Sequence, residues 1–463
     1  MGGVLATAYG QFPLPLGEGQ GEGLLMADMP ALLFQVLKPW RNAKVWHVAL
    51  SGGLDSTVLL HLLVQLRQTH SIPPITAVHV HHGLQAEADA WPAHCQALCD
   101  GLGVSLQVIR VQVQAGASVE RAARDARYQA FAALTGDLDV LLVGQHRDDQ
   151  AETLLFRLLR GAGVSGLAAM PRQRRLGAGH LCRPLLDVSR AQLEAYAREQ
   201  GLSWIEDPSN TQTDFSRNFL RHEVFPGLLR RWPQAAASMA RSAAHCAEAQ
   251  GLLDELARQD LHAAGSAGAF AWLGLPSLEL ATLAGLSPAR QRNALRHWLA
   301  TFTSLPDTDH WAGWEALRDA RNDARPIWKL AEGELHRAAG RIWWLSGDWL
   351  RQPVAPVPWG QPEQALVLPG NGRVRFVGDI PDGALQVSYR QGGEVMTLPS
   401  RGHRDLKRLL NESGVPLFAR GRLPLVYRNG QLLAVANLQG LDSSPCGRWQ
   451  LQWLPTSSDQ GLS

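Results

Sequence analysis

The N-terminal part of the chain alternates between short apolar runs rich in β-branched residues and longer stretches with helical spacing. The runs predict strands at 44–50, 75–82, 104–113 and 140–145, and the stretches predict helices at 56–68, 88–102, 118–134 and 147–160. Strands that alternate with helices form a parallel sheet through right-handed crossovers, with helices covering both faces. Because ligands of such sheets bind beyond the carboxyl ends of the strands, we expect the functional residues directly after strands.

The pattern changes beyond Trp204. Residues 217–300 are rich in Ala, Leu and Arg with helical spacing and show no clear strand, which predicts a helical linker and a small helical domain ending near Asp323. The apolar run Ile-Trp-Trp-Leu at 342–345 predicts a hairpin that completes this unit. Four prolines within 353–362 are typical of a linker. Residues 365–454 then predict a smaller α+β domain.

Composition narrows the class of protein. The 463 residues suggest roughly three domains of about 150 residues each. The fractions of hydrophobic (45%) and charged (19%) residues are those of an ordinary globular protein. No apolar stretch approaches the roughly 18 residues that a membrane span needs, so we expect no membrane span. The formal net charge is only +2, so any surface for nucleic acid must be local.

The cysteines indicate the compartment. The chain has five, namely Cys95, Cys99, Cys182, Cys246 and Cys446. An odd and scattered set does not make a disulfide framework, which favours a reducing compartment and predicts a cytoplasmic protein. Cys95 and Cys99 have C-x3-C spacing and should share a helix face, but no second pair completes four ligands for zinc or an iron–sulfur cluster.

The first 28 residues are unusual. They include the low-complexity run Leu-Pro-Leu-Gly-Glu-Gly-Gln-Gly-Glu-Gly at 14–23, which cannot build a core. They lack the charged start and apolar middle of a signal peptide. We interpret residues 1–28 as a disordered extension or as the product of an upstream start codon, with Met26 the true start. Deleting this segment should leave activity unchanged.

The first predicted strand runs into the loop Ser51-Gly52-Gly53-Leu54-Asp55-Ser56, and a helix follows at once. Glycines let the backbone approach a ligand closely, while unpaired N–H groups and the helix dipole attract an anion. Asp55 would repel a bare phosphate, but it fits a site where it holds Mg²⁺ that bridges to phosphates. The loop is neither a Walker A sequence nor a G-x-G-x-x-G fingerprint. A glycine-rich turn with Ser56 as N-cap is the alternative interpretation.

Further motifs follow in order. They are Val78-His-Val-His-His-Gly-Leu84, Glu120-x3-Arg124-x2-Arg127-Tyr128, Gly144-Gln-His-Arg-Asp-Asp-Gln-Ala-Glu-Thr153, Arg160-Gly-Ala-Gly-Val-Ser-Gly166, Arg183-Pro-Leu-Leu186, Trp204-Ile-Glu-Asp-Pro-Ser-Asn210, Arg217-Asn-Phe-Leu-Arg221 and Leu406-Lys-Arg-Leu-Leu-Asn-Glu-Ser-Gly-Val-Pro416. The loop after the first strand resembles that of the PP-loop ATP pyrophosphatase superfamily. From Val45 to the last domain, the order and content of the motifs resemble the bacterial tRNA(Ile)-lysidine synthetases. Phe418 departs from the family pattern, since relatives often carry Trp there, and this bears on the fit to RNA more than on chemistry.

The resemblance implies a fold and a reaction. The fold is α/β, with an N-terminal parallel-sheet PP-loop domain of the Rossmann-like adenine-nucleotide α-hydrolase type, a helical middle domain and a small α+β C-terminal domain. The implied enzyme is a ligase that forms a C–N bond between free L-lysine and the wobble cytidine of the CAU anticodon of isoleucine tRNA. The cytidine is first adenylated by ATP, with Mg²⁺ as cofactor; AMP and pyrophosphate are released, and the modified tRNA decodes AUA as isoleucine.

Domain boundaries follow from the pattern and the resemblance together. We predict an extension at 1–28, a PP-loop ATP-binding catalytic domain at 29–222, a helical linker and middle tRNA-binding domain at 223–350, a linker at 351–364, a C-terminal tRNA-binding domain at 365–455 and a tail at 456–463. A homodimer is one assembly that we consider.

The lysine amine has a pKa of about 10.4 in water, so it must lose a proton before it can attack. His146, Asp149 and Glu152 are the candidates to free it, and i,i+3 spacing puts both carboxylates on one helix face. Capping and the helix dipole also favour carboxylates in a first helical turn, which leaves a purely structural role open. With the resemblance, the predicted catalytic set is Asp55, His146, Asp149, Glu152 and Arg217, and Asp55 is expected to hold Mg²⁺ through ATP.

The resemblance also implies two binding sets. The predicted ATP-binding residues are Ser51, Gly52, Gly53, Leu54, Asp55, Ser56, His79, Arg124 and Arg127. The predicted tRNA-binding residues are Arg160, Arg221, Arg404, Lys407, Arg408 and Arg420. Any of these arginines could instead be a surface ion-pair partner. His79, His81 and His82 lack a carboxylate or cysteine at ligand spacing, so we favour nucleotide contacts or structural hydrogen bonds over a metal site.

A local excess of positive charge supports an RNA surface in the last domain. Residues 386–437 contain eight Lys or Arg against three acidic residues, within a chain of net charge +2. Such an excess is typical of a face that follows phosphates, although a solvated basic face has the same composition. The reacting base must leave its stack to reach ATP. The sixteen tryptophans, including Trp343 and Trp344, are expected mainly in cores.

Three other functions fit the sequence less well. A tRNA sulfur transferase on the same loop expects C-x-x-C or a cysteine beside the loop, and the sequence suggests neither. An amidotransferase-coupled synthetase expects a glutaminase domain with a nucleophilic cysteine, of which there is no sign in the sequence. A non-catalytic tRNA-binding protein is disfavoured by the intact set of Asp55, Asp149 and Glu152.

Overall fold

The computed structural model describes residues 29–83, 89–112, 119–207, 216–304, 311–321, 324–398, 401–442 and 448–456. The chain divides into two compact units, Met1–Gly251 and Leu252–Ser463. The predicted extension at 1–28, Met26 within it, Cys446 and nearly all of the predicted tail lie outside the described residues. The domain boundaries drawn from the sequence stay predictions.

The described residues of the first unit form six strands and nine α-helices, and a tenth helix runs across the division between the units. The strands are β1 (Trp46–Ala49), β2 (Ile75–His81), β3 (Ser105–Arg110), β4 (Val140–Leu142), β5 (Gln173–Leu176) and β6 (Gly179–Cys182). The helices are α1 (Met29–Leu37), α2 (Leu54–Thr69), α3 (Trp91–Leu102), α4 (Val119–Leu134), α5 (Arg147–Leu158), α6 (Val164–Leu167), α7 (Arg190–Glu199), α8 (Ser216–Phe219), α9 (Phe225–Arg231) and α10 (Ala235–Ala264).

These strands form one sheet in the order β3-β2-β1-β4-β6-β5, in which only β5 runs antiparallel to its neighbour. Trp46 of β1 pairs with Ile75 of β2 on one side and with Val140 of β4 on the other. The chain therefore reverses its direction of travel across the sheet between β1 and β4, which is where a doubly wound sheet opens a ligand crevice. The predicted parallel sheet is confirmed, and the hairpin of β5 and β6 adds an edge that the pattern did not predict.

The sheet buries both faces, as a parallel sheet must. One core contains Trp46, Val48 and the inner face of α2, and the opposite core contains Val78, Phe131 and Leu141. Helix α2 is buried along most of its length, which fixes the loop that precedes it.

Between α8 and α9 the helix widens into a π-type turn at Leu220–Val224. The N–H of Phe225 donates to the carbonyl of Leu220, five residues back. Pro226 follows and has no N–H to donate, so the ordinary helical bond to residue 222 cannot form. A widened turn of this kind is frequent at functional sites.

The second unit contains the remaining elements. The helices are α11 (Leu280–Ala284), α12 (Pro288–Leu299), α13 (Ala312–Asp319), α14 (Leu406–Glu412) and α15 (Leu417–Arg420). The strands are β7 (Ser277–Glu279), β8 (Ile327–Lys329), β9 (Glu334–Ala338), β10 (Arg341–Leu345), β11 (Val357–Trp359), β12 (Leu366–Val367), β13 (Arg373–Gly378), β14 (Leu385–Ser388), β15 (Val395–Leu398), β16 (Gly402–Asp405), β17 (Leu425–Arg428), β18 (Gln431–Val435) and β19 (Trp449–Leu454).

The described strands of this unit form three sheets, in the orders β7-β10-β9-β8, β11-β14-β17-β18-β15-β16 and β12-β13-β19. The predicted hairpin at Ile-Trp-Trp-Leu is confirmed as β9 and β10. The expectation of no strand in 217–300 is wrong, since β7 pairs with β10. Trp343 and Trp344 are buried, as expected of core tryptophans. None of the described helices is long and apolar enough to cross a membrane.

Candidate functional site

A cavity of about 590 Å³ lies at the carboxyl ends of β1, β2 and β4. Its walls are the loop after β1, the end of β2, one face of α4, the turn after β4 and the segment 204–207. Of the predicted site residues, the cavity is lined by Ser51, Gly53, Leu54, Asp55, Ser56, His79, Arg124, Arg127, Asp149 and Arg221. The expectation that functional side chains follow directly after strands holds for the loop after β1, whereas His79 lies within β2 and Arg124 and Arg127 lie on α4.

The loop after β1 is shaped to receive an anion. Gly52 has φ +86°, a left-handed conformation that favours glycine, and Gly53 is the N-cap of α2 without any side-chain cap. The first-turn N–H groups of α2 have no helical acceptor and so remain donors for a ligand. Ser56 is not the N-cap, because α2 begins at Leu54, and its hydroxyl instead donates to Gly53 O at 3.1 Å. The alternative of a turn capped by Ser56 is therefore wrong.

Segment 204–207 closes over this loop. The N–H of Ile205 donates to Gly52 O at 2.9 Å, and a Cβ on Gly52 would lie 2.9 Å from Ile205 Cδ1. Cys95 lies on the same side, 3.2 Å from that Cβ position. A cysteine therefore does lie beside the loop, contrary to the expectation from sequence. Burial raises the pKa of this thiol to about 12, so it is not the thiolate that sulfur transfer requires.

His79 is held by the frame of the sheet. Its Nδ1 lies 2.8 Å from Leu50 O and 3.5 Å from Cys95 Sγ, and the side chain is buried. Burial lowers its pKa, so the ring is neutral at physiological pH. This is the structural hydrogen bond that the sequence left open as one of two roles.

The turn after β4 brings His146 against two carboxylates. His146 Nε2 lies 3.7 Å from Asp55 Oδ1 and 3.6 Å from Asp149 Oδ2, and the ring is 1% exposed. A Cβ on Gly144 would lie 2.9 Å from the carbonyl of Asp55, so only glycine permits this approach. The loop after β1 and the first turn of α5 are thereby locked against each other.

Four charged side chains form a cluster at the first two turns of α5. Arg217 donates to Asp149 and Glu152, each at 3.1 Å. Arg221 donates to Asp149 at 3.1 Å and to the two oxygens of Glu152 at 2.7 and 2.9 Å. Both carboxylates are buried. We call these four residues the carboxylate–arginine cluster.

The pKa values of Asp55 and Asp149 are shifted in opposite directions. Burial raises the pKa of Asp55, and Asp149 adds to this, while His146 acts against it. Burial alone would also raise the pKa of Asp149, but His146, Arg217 and Arg221 outweigh it and hold the pKa below its usual value. Two carboxyl groups whose environments separate their pKa values are a recurring feature of catalytic sites.

The remaining predicted RNA contacts are placed elsewhere. Arg160 is exposed beyond the end of α5, with its guanidinium 5.1 Å from the Phe156 ring centroid. In the second unit, Arg404 and Lys407 are exposed, and Arg408 is exposed but paired with Glu412 at 3.2 Å.

Two more arginines of that region donate hydrogen bonds to backbone carbonyls. Arg420 donates to Val415 O at 2.9 Å. Arg422, which contributed to the counted excess of charge, is buried and donates to the carbonyls of Asp348, Arg351 and Gly370. Phe418 lies in an aromatic cluster with Trp343 and Trp349, at centroid distances of 5.8 and 6.2 Å.

Sequence reasoning missed some residues of the site. Arg190 NH1 lies 3.9 Å from Asp55 Oδ2, and its backbone N–H donates to Asp148 at 2.9 Å. Nothing in the sequence around it pointed to a ligand. Arg221 was assigned to tRNA, yet the structure places it in the carboxylate–arginine cluster. Its signal was available, because Arg217 and Arg221 are four residues apart and share a helix face.

Family models match three parts of the chain. A PP-loop domain matches residues 28–228, a TilS substrate binding domain matches 278–343, and a TilS substrate C-terminal domain matches 385–453. The first of these contains every element of the cavity.

Full-length relatives carry one name. The chain is 67% identical over 435 residues to the tRNA(Ile)-lysidine synthase of Pseudomonas fluorescens (strain Pf0-1), an alignment that covers 94% of this chain and 98% of the relative. It is 63% identical over 436 residues to that of Pseudomonas syringae pv. tomato (94% and 98% covered) and 60% identical over 443 residues to that of Pseudomonas aeruginosa (94% and 100% covered). The chain therefore belongs to the tRNA(Ile)-lysidine synthases, a family of ATP-using ligases with an N-terminal PP-loop domain.

Proposed function

We propose that this enzyme joins the side-chain amine of free L-lysine to the wobble cytidine of an isoleucine tRNA with the anticodon CAU, in the cytoplasm. The cytidine is adenylated on its ring carbonyl oxygen, and the amine then displaces AMP. The observation that carries this proposal is that one cavity is lined both by the loop after β1 and by Asp149, which shares Arg217 and Arg221 with the buried Glu152 beside it. An ATP site alone would need no such pair.

The order of the two steps follows from leaving-group chemistry. A carbonyl oxygen on a pyrimidine ring does not depart, whereas the same oxygen as a phosphate ester leaves as AMP. The loop after β1 would hold the triphosphate, with the first-turn N–H groups of α2 as donors. Pyrophosphate leaves in the first step, before lysine reacts.

The residues present fit a Mg²⁺ ion that bridges to ATP. Asp55 Oδ1 is buried and makes no hydrogen bond, so it is a carboxylate oxygen available for a cation. No group of three or more His, Cys, Asp or Glu among the described residues is placed to hold a metal alone. Mg²⁺ needs only one or two carboxylates when phosphate and water complete its shell. Asp55 would hold the ion, which would neutralise phosphate charge.

Lysine would bind at the carboxylate–arginine cluster. Asp149 and Glu152 carry two negative charges, and Arg217 and Arg221 balance them when no amine is present. A lysine ammonium would therefore compete with an arginine for the same oxygens. A carboxylate freed in that exchange, or His146, would accept the proton that the amine loses before it attacks.

The tRNA would be the large substrate, and two of the matching family models are described as TilS substrate domains. Its anticodon would enter the cavity with the cytidine turned out of its stack. The exposed Arg404, Lys407 and Arg408 of the second unit would contact its phosphates. The homodimer considered from the sequence stays a prediction.

The direct test supplies ATP, radiolabelled lysine and an unmodified isoleucine tRNA transcript with the anticodon CAU. We expect label in the RNA, with AMP and pyrophosphate formed in equal amounts. A transcript with uridine in place of the wobble cytidine is the matched control and should accept no lysine. Nucleotide consumption with no lysine in the CAU transcript would contradict the proposal.

A further inference from the structure

Four guanidinium groups surround one phenol at the side of the cavity. Arg124 of α4 and Arg174 of β5 each place Cζ 5.0 Å from the centroid of the Tyr128 ring. Arg127 lies in the same turn of α4, and Arg183 follows β6. We call these five residues the tyrosine–arginine cluster.

The cluster has no acidic partner among the described residues. No ion pair joins Arg124, Arg127, Arg174 or Arg183 to a carboxylate there, although the other clustered arginines of this unit are paired with Asp or Glu. Arg183 instead donates to the side-chain carbonyl of Gln145 and to Pro171 O. These neutral acceptors hold its guanidinium in place but do not balance its positive charge.

The positive charges act on one another. Burial lowers the pKa of Arg127, and Arg124 adds to this by repulsion. Burial alone would raise the pKa of Tyr128, but the four guanidinium groups outweigh it and hold that pKa below its usual value. Packing like charges this closely costs free energy that an anion would return.

We propose that the tyrosine–arginine cluster binds a backbone phosphate of the substrate RNA, next to the nucleotide that enters the cavity. The inference rests on the proposed function in one respect, namely that the RNA is the tRNA whose cytidine reacts. Arginine is suited to the role because its planar fork grips phosphate oxygens in pairs. The ring of Tyr128 orders the guanidinium groups through cation–π contact before RNA arrives.

The position of the cluster favours RNA over ATP as the source of the phosphate. Arg127 and Tyr128 line the cavity, whereas Arg174 does not line it and is exposed. The positive surface therefore continues from the cavity wall to the outside of the protein. A nucleotide held by the loop after β1 would end inside the cavity, while an RNA strand runs on beyond it.

Strand β5 offers a matched pair of variants. Arg174 and Arg175 are adjacent and both exposed, but neighbouring side chains of a strand point to opposite faces. Arg174→Gln removes a cluster charge, and Arg175→Gln removes the same charge from the other face. The probe is the CAU transcript, titrated in the absence of lysine and ATP so that no turnover is involved.

We expect Arg174→Gln to weaken tRNA binding roughly three- to tenfold and to reduce the slope of log affinity against log salt by about 0.7, as for one phosphate contact to a single strand. Arg175→Gln should bind as the unchanged protein does, and Arg174→Lys should recover part of the affinity. ATP affinity, measured separately by equilibrium binding, should be unaffected by Arg174→Gln.

Other outcomes would overturn the inference. Loss of ATP affinity with tRNA binding intact would make the cluster a triphosphate subsite. If Arg174→Gln and Arg175→Gln weakened tRNA binding equally, the effect would come from the overall positive charge and not from the cluster. If neither variant changed tRNA binding, the cluster would have no role in binding RNA. Because binding is measured without chemistry, a protein that binds tRNA through Arg174 but transfers no lysine would refute the proposed function and not this inference.

Discussion

Arg221 forms a bidentate contact with Glu152: its Nε donates to one carboxylate oxygen at 2.7 Å and a terminal nitrogen donates to the other at 2.9 Å. Glu152 is 3% exposed, so this contact supplies much of the compensation for a buried charge. The π-type turn at Leu220–Val224 contains Arg221 and presents it to the carboxylate. In the proposed function, the arginine therefore occupies the place that a lysine ammonium would take.

Replacing Arg221 should lower stability measurably. In Arg221→Met, Asp149 and Glu152 keep only Arg217, and we expect the free energy of unfolding to fall by about 2 kcal/mol. Arg221→Lys should recover less than half of this, because an ammonium cannot form both parallel bonds. Urea denaturation followed by circular dichroism measures the change.

Arg160→Met is the control for that loss, since Arg160 is exposed, and it should shift stability by less than about 0.5 kcal/mol. Equal stabilities of Arg221→Met and Arg160→Met would show that the bidentate contact makes no net contribution to the free energy of unfolding.

Glu152 should matter more for the second step than for the first. Glu152→Ala removes half of the carboxylate pair, so we expect lysine transfer to fall at least tenfold more than adenylation of the tRNA. Pyrophosphate release without lysine measures the first step, and labelled lysine in RNA measures the whole reaction. Asp55→Ala should abolish pyrophosphate release itself.

The partly exposed carboxylate of Glu194 on α7, paired with Arg198, provides the comparison. Glu194→Ala should leave both steps unchanged. Equal damage to both steps in Glu152→Ala would remove its assignment to lysine.

Removing the two aspartate charges should change stability in opposite directions. The pKa of Asp55 is raised in the folded state, so its ionised form costs stability at neutral pH, and this cost disappears as the pH falls below the range of an unfolded carboxyl group, about 4. The pKa of Asp149 is lowered, so its charge contributes stability that is present above about pH 4 and is lost as the pH falls through the folded value.

Asp55→Asn should therefore raise the melting temperature at pH 7, and Asp149→Asn should lower it. The Asp55→Asn difference should shrink on going to pH 4, whereas the Asp149→Asn difference should persist there and shrink only at lower pH. Differential scanning calorimetry at several pH values gives the comparison, and shifts of the same sign at pH 7 would contradict it.

The buried thiols should be inert in the folded enzyme. Burial raises the pKa of Cys95 and Cys182 to about 12 and that of Cys99 to about 11, so almost no thiolate is present at neutral pH. Cys246 is partly exposed. With limiting iodoacetamide, peptide mapping should find Cys246 modified well before Cys95, Cys99 and Cys182, and all five cysteines of the chain modified in urea. Early modification of native Cys95 would reopen the sulfur-transfer interpretation.

The sequence was informative where a local pattern decides the structure. The strand-loop-helix order around Ser51 to Ser56 depends on glycine conformation and on apolar spacing, and both are visible in the residues. The parallel sheet followed from the same alternation. The start of α2 was placed two residues late, because Leu54 and Asp55 extend the helix into the loop.

It was less informative where long-range contacts decide. The pairing of β7 with β10 joins residues more than sixty positions apart, and three residues of strand give no local signal. Arg422 counted as surface charge but is buried and donates to three backbone carbonyls, which only the folded chain brings together. The approach of Cys95 to Gly52 was invisible for the same reason.

Gly144 holds the loop after β1 and the start of α5 in one fixed arrangement, which both steps of the proposed reaction would use. With no room for even a methyl group against the carbonyl of Asp55, the loop that would grip the nucleotide and the helix that would present the amine's partners form one rigid joint. If the loop and the helix moved relative to each other, the adenylated cytidine from the proposed first step would no longer be aligned with the amine that attacks it in the second. In a saturation library, position 144 should tolerate glycine and nothing else, even though this residue has no side chain with which to touch a substrate.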